Sequence, residues 1–157
     1  MLSFANMITI RAATTTDLPA LAHFWHEKMV LQADHRTTPA PHARDLWIAA
    51  AQTWLDDARC GFFAAERDHE LVGYIVGWLQ SMPGLVPEQI GLVTEIAIDA
   101  HGYHGGVGRA LVSALREWFS GQGAQQIAIW TPHYDAVSQA FWRSLGAMEW
   151  VDVLWIK

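Results

Sequence analysis

The residues most able to do chemistry lie between Glu95 and Leu111. A β-prone run carrying the Glu95 carboxylate ends at Asp99, a glycine-rich turn follows, and an amphipathic helix begins at Val107. The first N–H groups of a helix have no intrahelical partner, and the helix dipole concentrates partial positive charge there. Glycines let that backbone approach an anion without side-chain interference, so the turn is suited to cradle a pyrophosphate. Arg109, in the first helical turn, opposes the dipole, a placement that makes sense beside a phosphate. A tight strand-to-helix connection with no ligand uses the same residue types, so the turn alone is a weak signal. Two other phosphate motifs fail. A Walker loop needs Gly-Lys followed by Ser or Thr, which the turn lacks, and a dinucleotide fingerprint needs glycine where Leu111 stands.

The elements that must position this segment follow from periodicity. Met1 to Met7 reads as a loose leader, and Ile8 to Arg11 as a short strand. Asp17-Leu18-Pro19 starts a helix, with a cap residue and a proline in the first turn. Leu18, Leu21, Ala22 and Trp25 continue it to about Leu31. A second helix spans roughly Ala43 to Asp57, with Leu46, Trp47, Ala50 and Trp54 on one face. Gly61 to Glu66 and Leu71 to Leu79 form a hairpin turning at Arg67 to Glu70. Ser81 to Gly91 is a loop, Leu92 to Asp99 a strand, and Val107 to Ser120 a helix. Gln126 to Trp130 is a short strand, Ala136 to Leu145 a final helix closed by Gly146, and Met148 to Ile156 a last β-type stretch. A hairpin together with strand–helix–strand crossovers implies an α/β fold with a mixed sheet, and 157 residues suit a single domain.

Charge and composition narrow the function. The net charge of −6, with only two lysines (Lys28 and Lys157) and scattered arginines, argues against a nucleic-acid partner. An acidic surface mildly favours a cationic substrate such as an amine, and also keeps a protein in solution. No apolar run is long enough to cross a bilayer, so no membrane association is expected. Cys60 is the sole cysteine, which excludes an internal disulfide and weighs for a reducing, cytoplasmic compartment. It has no helix start or histidine beside it to make it a nucleophile. His101 and His104 have no third ligand at suitable spacing, so no metal is expected. His23 and His26 read as helix-face residues. The nine tryptophans read mostly as core, and Trp25, Trp130 and Trp142 could line an acceptor pocket.

Tyr103-His104-Gly105-Gly106-Val107-Gly108 resembles the Gln/Arg-x-x-Gly-x-Gly/Ala motif of the GNAT superfamily of acetyl-CoA-dependent N-acyltransferases. Both glycines and the continuation Arg109-Ala110-Leu111 match, with Tyr103 in place of Gln or Arg. Ile8 to Asp17 is similar to the family's opening strand and helix cap, and Ala140 to Ala147 to its final helix. The resemblance implies one GNAT-like domain over residues 1–157, with a central sheet of about six or seven strands and about four helices. It implies acetyl-CoA, or another acyl-CoA, as cofactor. The backbone of Ile96 and Ile98 would meet the pantetheine arm, and amides of His104, Gly105, Gly106, Val107, Gly108 and Arg109 the pyrophosphate. Tyr103, Asp135 and Trp142 complete the implied cofactor-facing set.

Acyl transfer to an amine requires removal of a proton, because a lysine-like amine with pKa ~10.4 is mostly protonated at neutral pH. Glu95 resembles the acidic residue many members carry on the fourth strand, and alternation puts it on the side of Ala97 and Asp99. It is the candidate base, with a surface ion pair as the plain alternative. Asp99 suits a turn. The family's tyrosine beside the sulfur is Trp142 here, whose indole cannot give up its proton at useful pH. Tyr134, at the mouth of the same helix, could reach inward from a different angle and is equally an acceptor-pocket wall. The expected function is acetyl transfer from acetyl-CoA to a primary amine of a small molecule or peptide. The alternative is a catalytically silent acyl-CoA-binding module. Trp150 to Ile156 would be an association hazard as an exposed edge, so it should be covered by a second copy in a homodimer or lie centrally in its own sheet.

Overall fold

In the computed structural model, which describes residues 7–32, 37–101 and 105–157, the chain opens with strand β1 (Ile8–Ala12) and a 3-10 turn (Thr15–Asp17). Helices α1 (Leu18–Leu31) and α2 (Ala43–Leu55) follow, then strands β2 (Cys60–Arg67), β3 (Glu70–Ser81) and β4 (Gln89–Ile98). Helix α3 (Val107–Gly121), strand β5 (Ile127–Ile129) and helix α4 (Ala136–Ser144) complete the order. The start of α1 follows the sequence signals, with Pro19 in its first turn and Asp17 held by its neighbours. The Asp17 carboxylate accepts the Thr14 N–H at 2.8 Å and both Arg11 guanidinium nitrogens at 2.7 and 2.8 Å. Arg11 also donates to Glu66 at 2.6 Å, tying β1 and β2 to the head of α1.

The five strands form one sheet in sequence order, antiparallel from β1 to β4 and parallel between β4 and β5, with α3 as the crossover. Asp68 and His69 take positive φ, 51° and 68°, which turns β2 into β3 in two residues. On one side of the sheet α1 and α2 bury Leu18, Leu21, Phe24, Trp47 and Ala51 against Phe62, Tyr74, Val76 and Ala97. On the other side α3 buries Val107, Leu111, Leu115 and Phe119 against Ala65, Ile75 and Val93, with Trp142 of α4 added. Each such large apolar side chain contributes about 1.5–3 kcal/mol through burial. Phe119 can lie this close to the sheet because Gly91 faces it; a Cβ there would sit 2.5 Å from the ring.

Strand β4 carries a bulge opposite Val76 and Gly77 of β3. Along β4, Gly77 of β3 pairs with Val93 while Val76 pairs with Glu95, so Thr94 is an extra residue without a β3 partner. Before it, Gly91 and Val93 face α3. After it, Glu95 and Ala97 face α1 and α2 instead.

Among the described residues the sheet has five strands, fewer than the six or seven expected. The difference is largely at the C-terminal end: Met148 to Ile156 forms no strand, and Met148, Val151, Val153, Leu154 and Ile156 are exposed. This overturns the expectation that Trp150 to Ile156 lies centrally in its own sheet. β propensity describes fit to a pleated surface beside a neighbour, and on that side the sheet ends in β5, which is three residues long. Leu46 also departs from expectation. The buried stripe of α2 is Ala43, Trp47 and Ala51, one turn apart, which leaves Leu46 60% exposed.

Candidate active site

Glu95 is held by residues from two other elements. Its Oε2 accepts the Tyr74 hydroxyl of β3 at 2.8 Å and the Trp47 Nε1–H of α2 at 3.1 Å. Both bonds land on one oxygen, which leaves Oε1 to meet a ligand. Burial pushes the carboxyl above its ordinary range, against those two hydrogen bonds and the Lys28 charge, which pull it down. A carboxyl raised in this way is a better base toward an amine. Tyr74, fully buried beside Glu95, is pushed well above its ordinary value and stays a protonated donor.

Two clefts meet at this carboxylate. The larger, about 450 Å³, lies between α1 and α2 and is walled by Trp25, Trp47, Trp54 and Leu46. The smaller, about 270 Å³, is lined by Lys28, Thr94, Ile96 and Trp130. Glu95 and Trp25 line both.

The smaller cleft exists because β4 and β5 part company. Their pairing ends at Val93 and Ile129, with one further bond from the Trp130 N–H to the Val93 carbonyl at 2.9 Å. Among the described residues no strand pairs with Glu95 to Ile98 on that side. Backbone groups of Ile96 and Ile98 are therefore free of a β5 ladder, as an amide-bearing arm would require. Lys28 of α1 reaches into this notch and donates from Nζ to the Ile96 carbonyl at 2.6 Å. Burial pulls its ammonium below the ordinary value, against the negative charges of Glu95 and Asp135.

Tyr103 and His104 lie outside the described residues. Gly106 is the N-cap of α3 with φ 82°, a conformation L side chains rarely adopt. A glycine cap offers no side-chain oxygen to the first-turn N–H groups, so those donors face outward for an anion. Among the described residues a Cβ on Gly106 would meet only Ile8 Cδ1, at 3.8 Å. These residues fit a pyrophosphate. Gly108 has a different reason to be glycine: a Cβ there would press on the Phe141 ring at 3.1 Å and Ile98 Cδ1 at 3.3 Å. Arg109 donates to Ser144 Oγ at 3.0 Å, joining α3 to α4, and Val107 is fully buried.

The remaining sequence-derived residues divide. Asp135 caps α4, accepting the Ser138 N–H at 3.2 Å and hydroxyl at 2.6 Å, and takes Gln32 of the turn after α1 at 3.1 Å. Trp142 is 5% exposed, inside the core between α3 and α4. Tyr134 is half exposed just before α4. Asp99 closes a turn by accepting the His101 N–H at 3.0 Å. Burial pushes the Cys60 thiol up to about 12, which keeps it protonated and inert. Sequence reasoning missed Lys28, Trp47 and Tyr74. The signal available was a lone lysine in an apolar helix for the first. Strand register was needed for Tyr74, and nothing local marked Trp47.

A buried carboxylate thus stands at a break in a mixed sheet, and a helix headed by glycine follows it. The chain belongs to the acetyltransferase (GNAT) family, whose profile matches residues 22–147. That is a family of acyltransferases drawing on acetyl-CoA. The chain is 29% identical over 124 residues to a mycothiol acetyltransferase of Thermobispora bispora, covering 78% of this chain and 41% of the relative. It thus spans about two fifths of that relative's length. In fold it is similar to a transcriptional regulator from Bacillus halodurans C-125, with TM-score 0.79 at 19% identity over 96% of this chain and 99% of that one. An aminoglycoside N-acetyltransferase in complex with CoA superposes with TM-score 0.74 at 18% identity, over 100% and 98%. No helix among the described residues is long and apolar enough to cross a membrane.

Proposed function

We propose that this chain moves an acetyl group from acetyl-CoA to a primary amine of a small molecule or peptide by direct attack, with Glu95 as the base. The carrying observation is the position of the Glu95 carboxylate, which lines both the aromatic cleft and the notch between β4 and β5. An amine entering from one side and an acyl group lying on the other would meet beside Oε1.

Acetyl-CoA, when bound, supplies an acetyl group as a thioester whose C–S bond breaks as the C–N bond forms, the electron pair leaving with sulfur. The amides of Gly105 to Arg109, with Tyr103 and His104 before them, are proposed to hold its pyrophosphate. The Ile96 N–H and the backbone of Ile98 are proposed to hold its amide arm, the Ile96 carbonyl being taken by Lys28. Glu95 takes the proton of the attacking nitrogen and passes it to solvent. The Tyr74 and Trp47 donors fix the carboxylate orientation, so that placement supplies part of the rate. Tyr134 is proposed to face the departing thiolate, and a thiolate with pKa ~8.5 also leaves without a proton donor. Trp142, buried in the core, takes no part in the proton transfer. The compartment is proposed to be the cytoplasm, where a lone thiol stays reduced. A homodimer is proposed to cover the exposed apolar stretch from Met148 to Ile156. Light scattering at micromolar concentration should then report twice the monomer mass.

The test of function is thiol release from acetyl-CoA with a panel of primary amines, together with calorimetry of acetyl-CoA alone. Turnover with at least one amine, lost in Glu95→Gln, supports transfer. Tight acetyl-CoA binding with no thiol release from any amine would identify a silent binding module instead.

A further inference from the structure

The larger cleft has a chemistry of its own. Its volume, about 450 Å³, is at the small end of ligand sites, which run ~300–1,000 Å³. Trp25 and Trp47 lie nearly parallel, with ring centroids 6.2 Å apart and planes 25° from one another. Trp54 meets Trp47 edge-on at 5.8 Å. Met29 and Leu46 add thioether and aliphatic wall. Among the described residues lining the cavity Glu95 is the only charged one, and it also lines the notch.

We propose that this cavity is the acceptor site and that it selects arylalkylamines: a single primary amine on a short aliphatic arm carrying an aromatic ring. The inference rests on the reading of Glu95 as base. The ring would pack against the Trp25 and Trp54 indoles in offset or edge contact, which aromatic pairs prefer. The ammonium, before it gives up its proton, is drawn both to the Glu95 carboxylate and to the indole faces. A polycation of the aminoglycoside kind would bring several ammonium groups against one carboxylate and leave the others to Thr37, Thr38 and apolar wall, which is costly. A peptide would bring backbone N–H and C=O groups to a wall that offers them few partners. The indole of Trp47 has a double duty here. Its ring face and edges touch Trp25, Trp54, Phe62 and Tyr74, and its N–H orients the base.

The experiment compares 2-phenylethylamine, n-butylamine and kanamycin on the full chain, by calorimetry without cofactor and by thiol release with acetyl-CoA. The expected result is 2-phenylethylamine binding at least about tenfold tighter than butylamine, with kanamycin weaker than both. Trp54→Leu, which alters the larger cleft alone, should reduce that preference to about twofold while leaving acetyl-CoA binding unchanged. Leu46→Lys, at an exposed wall position that tolerates charge, should weaken 2-phenylethylamine about tenfold without altering the melting temperature. Butylamine or kanamycin binding as tightly as 2-phenylethylamine would overturn the proposal. Thiol release led by kanamycin would overturn it too while leaving acetyl transfer standing. Selective binding of 2-phenylethylamine with no thiol release from any amine would uphold the cavity's selectivity and remove the transfer reading.

Discussion

The Lys28 ammonium donates to the Ile96 carbonyl across 2.6 Å, joining α1 to β4 where β4 has left β5. The same charge acts on Glu95 one residue away along the strand, holding its carboxyl lower than burial alone would. Lys28→Met therefore lets the Glu95 carboxyl rise further. The acidic limb of the pH dependence of kcat/KM should move to higher pH in this variant, and Lys28→Arg, which keeps the charge, should hold it near the parent position. A limb that stays in place in Lys28→Met would separate the two groups.

Glu95→Gln makes opposite predictions for activity and stability. The carboxyl is raised in the folded chain, so its ionised form opposes folding, and stability is lost as pH rises through the raised value. Gln retains an acceptor for Tyr74 and Trp47 without the buried charge. Turnover should fall about 10²- to 10⁴-fold, most below pH 8. The melting temperature at pH 8 should exceed the parent's, by about 2–4 °C for each kcal/mol recovered. The gap should close toward pH ~4, where an unfolded glutamate also holds its proton. Scanning calorimetry at the two pH values checks the sign.

Gly106 and Gly108 should separate under substitution. Gly106→Val puts a branched side chain at φ 82° over the turn, and acetyl-CoA affinity should drop at least about tenfold, with about 1–2 kcal/mol of strain. Gly108→Ala meets Phe141 at 3.1 Å, so it should cost about 1–3 kcal/mol of stability with a smaller change in affinity. Calorimetric titration beside urea unfolding distinguishes the two outcomes.

Asp17 is buried, and the Arg11 guanidinium beside it holds its carboxyl below the ordinary range, with the Thr14 bonds adding to the effect. A depressed carboxyl gives stability that is present above the unfolded value, ~3.9, and lost as pH falls through the folded one. Asp17→Asn should lower the urea midpoint at pH 7, at a cost of about 1–3 kcal/mol. The difference from the parent should shrink as the pH is taken below 3.

What could be read without coordinates was whatever is encoded locally. Asp17-Leu18-Pro19 starts a helix, Asp68 and His69 make a turn, and Gly146 with φ 89° follows the end of α4, all through short-range backbone chemistry. Glu95 and the Gly105 to Gly108 turn were visible because their types and spacing are unusual. The partners of Glu95 were not: Tyr74 and Trp47 come from a strand and a helix brought together only by tertiary packing. Trp142 resembled a sulfur neighbour by position in its helix, yet an indole at that place is taken into the core. Met148 to Ile156 has strand composition without a strand, since pairing depends on an available edge, which composition does not report.

A strand has a phase of two, and Thr94 is the half-step that resets it midway along β4. Deleting Thr94 alone would make Val93 and Glu95 neighbours, on opposite faces by ordinary alternation, so the carboxylate would keep Tyr74 and Trp47. What would be lost is the bend that an unpaired residue puts into a strand, at the point where β4 leaves β5. Substitutions at Thr94 should therefore be mild, while its deletion should spare the fold, straighten β4 and cost acetyl-CoA affinity. The extra length is what this residue contributes, and its side chain is nearly incidental.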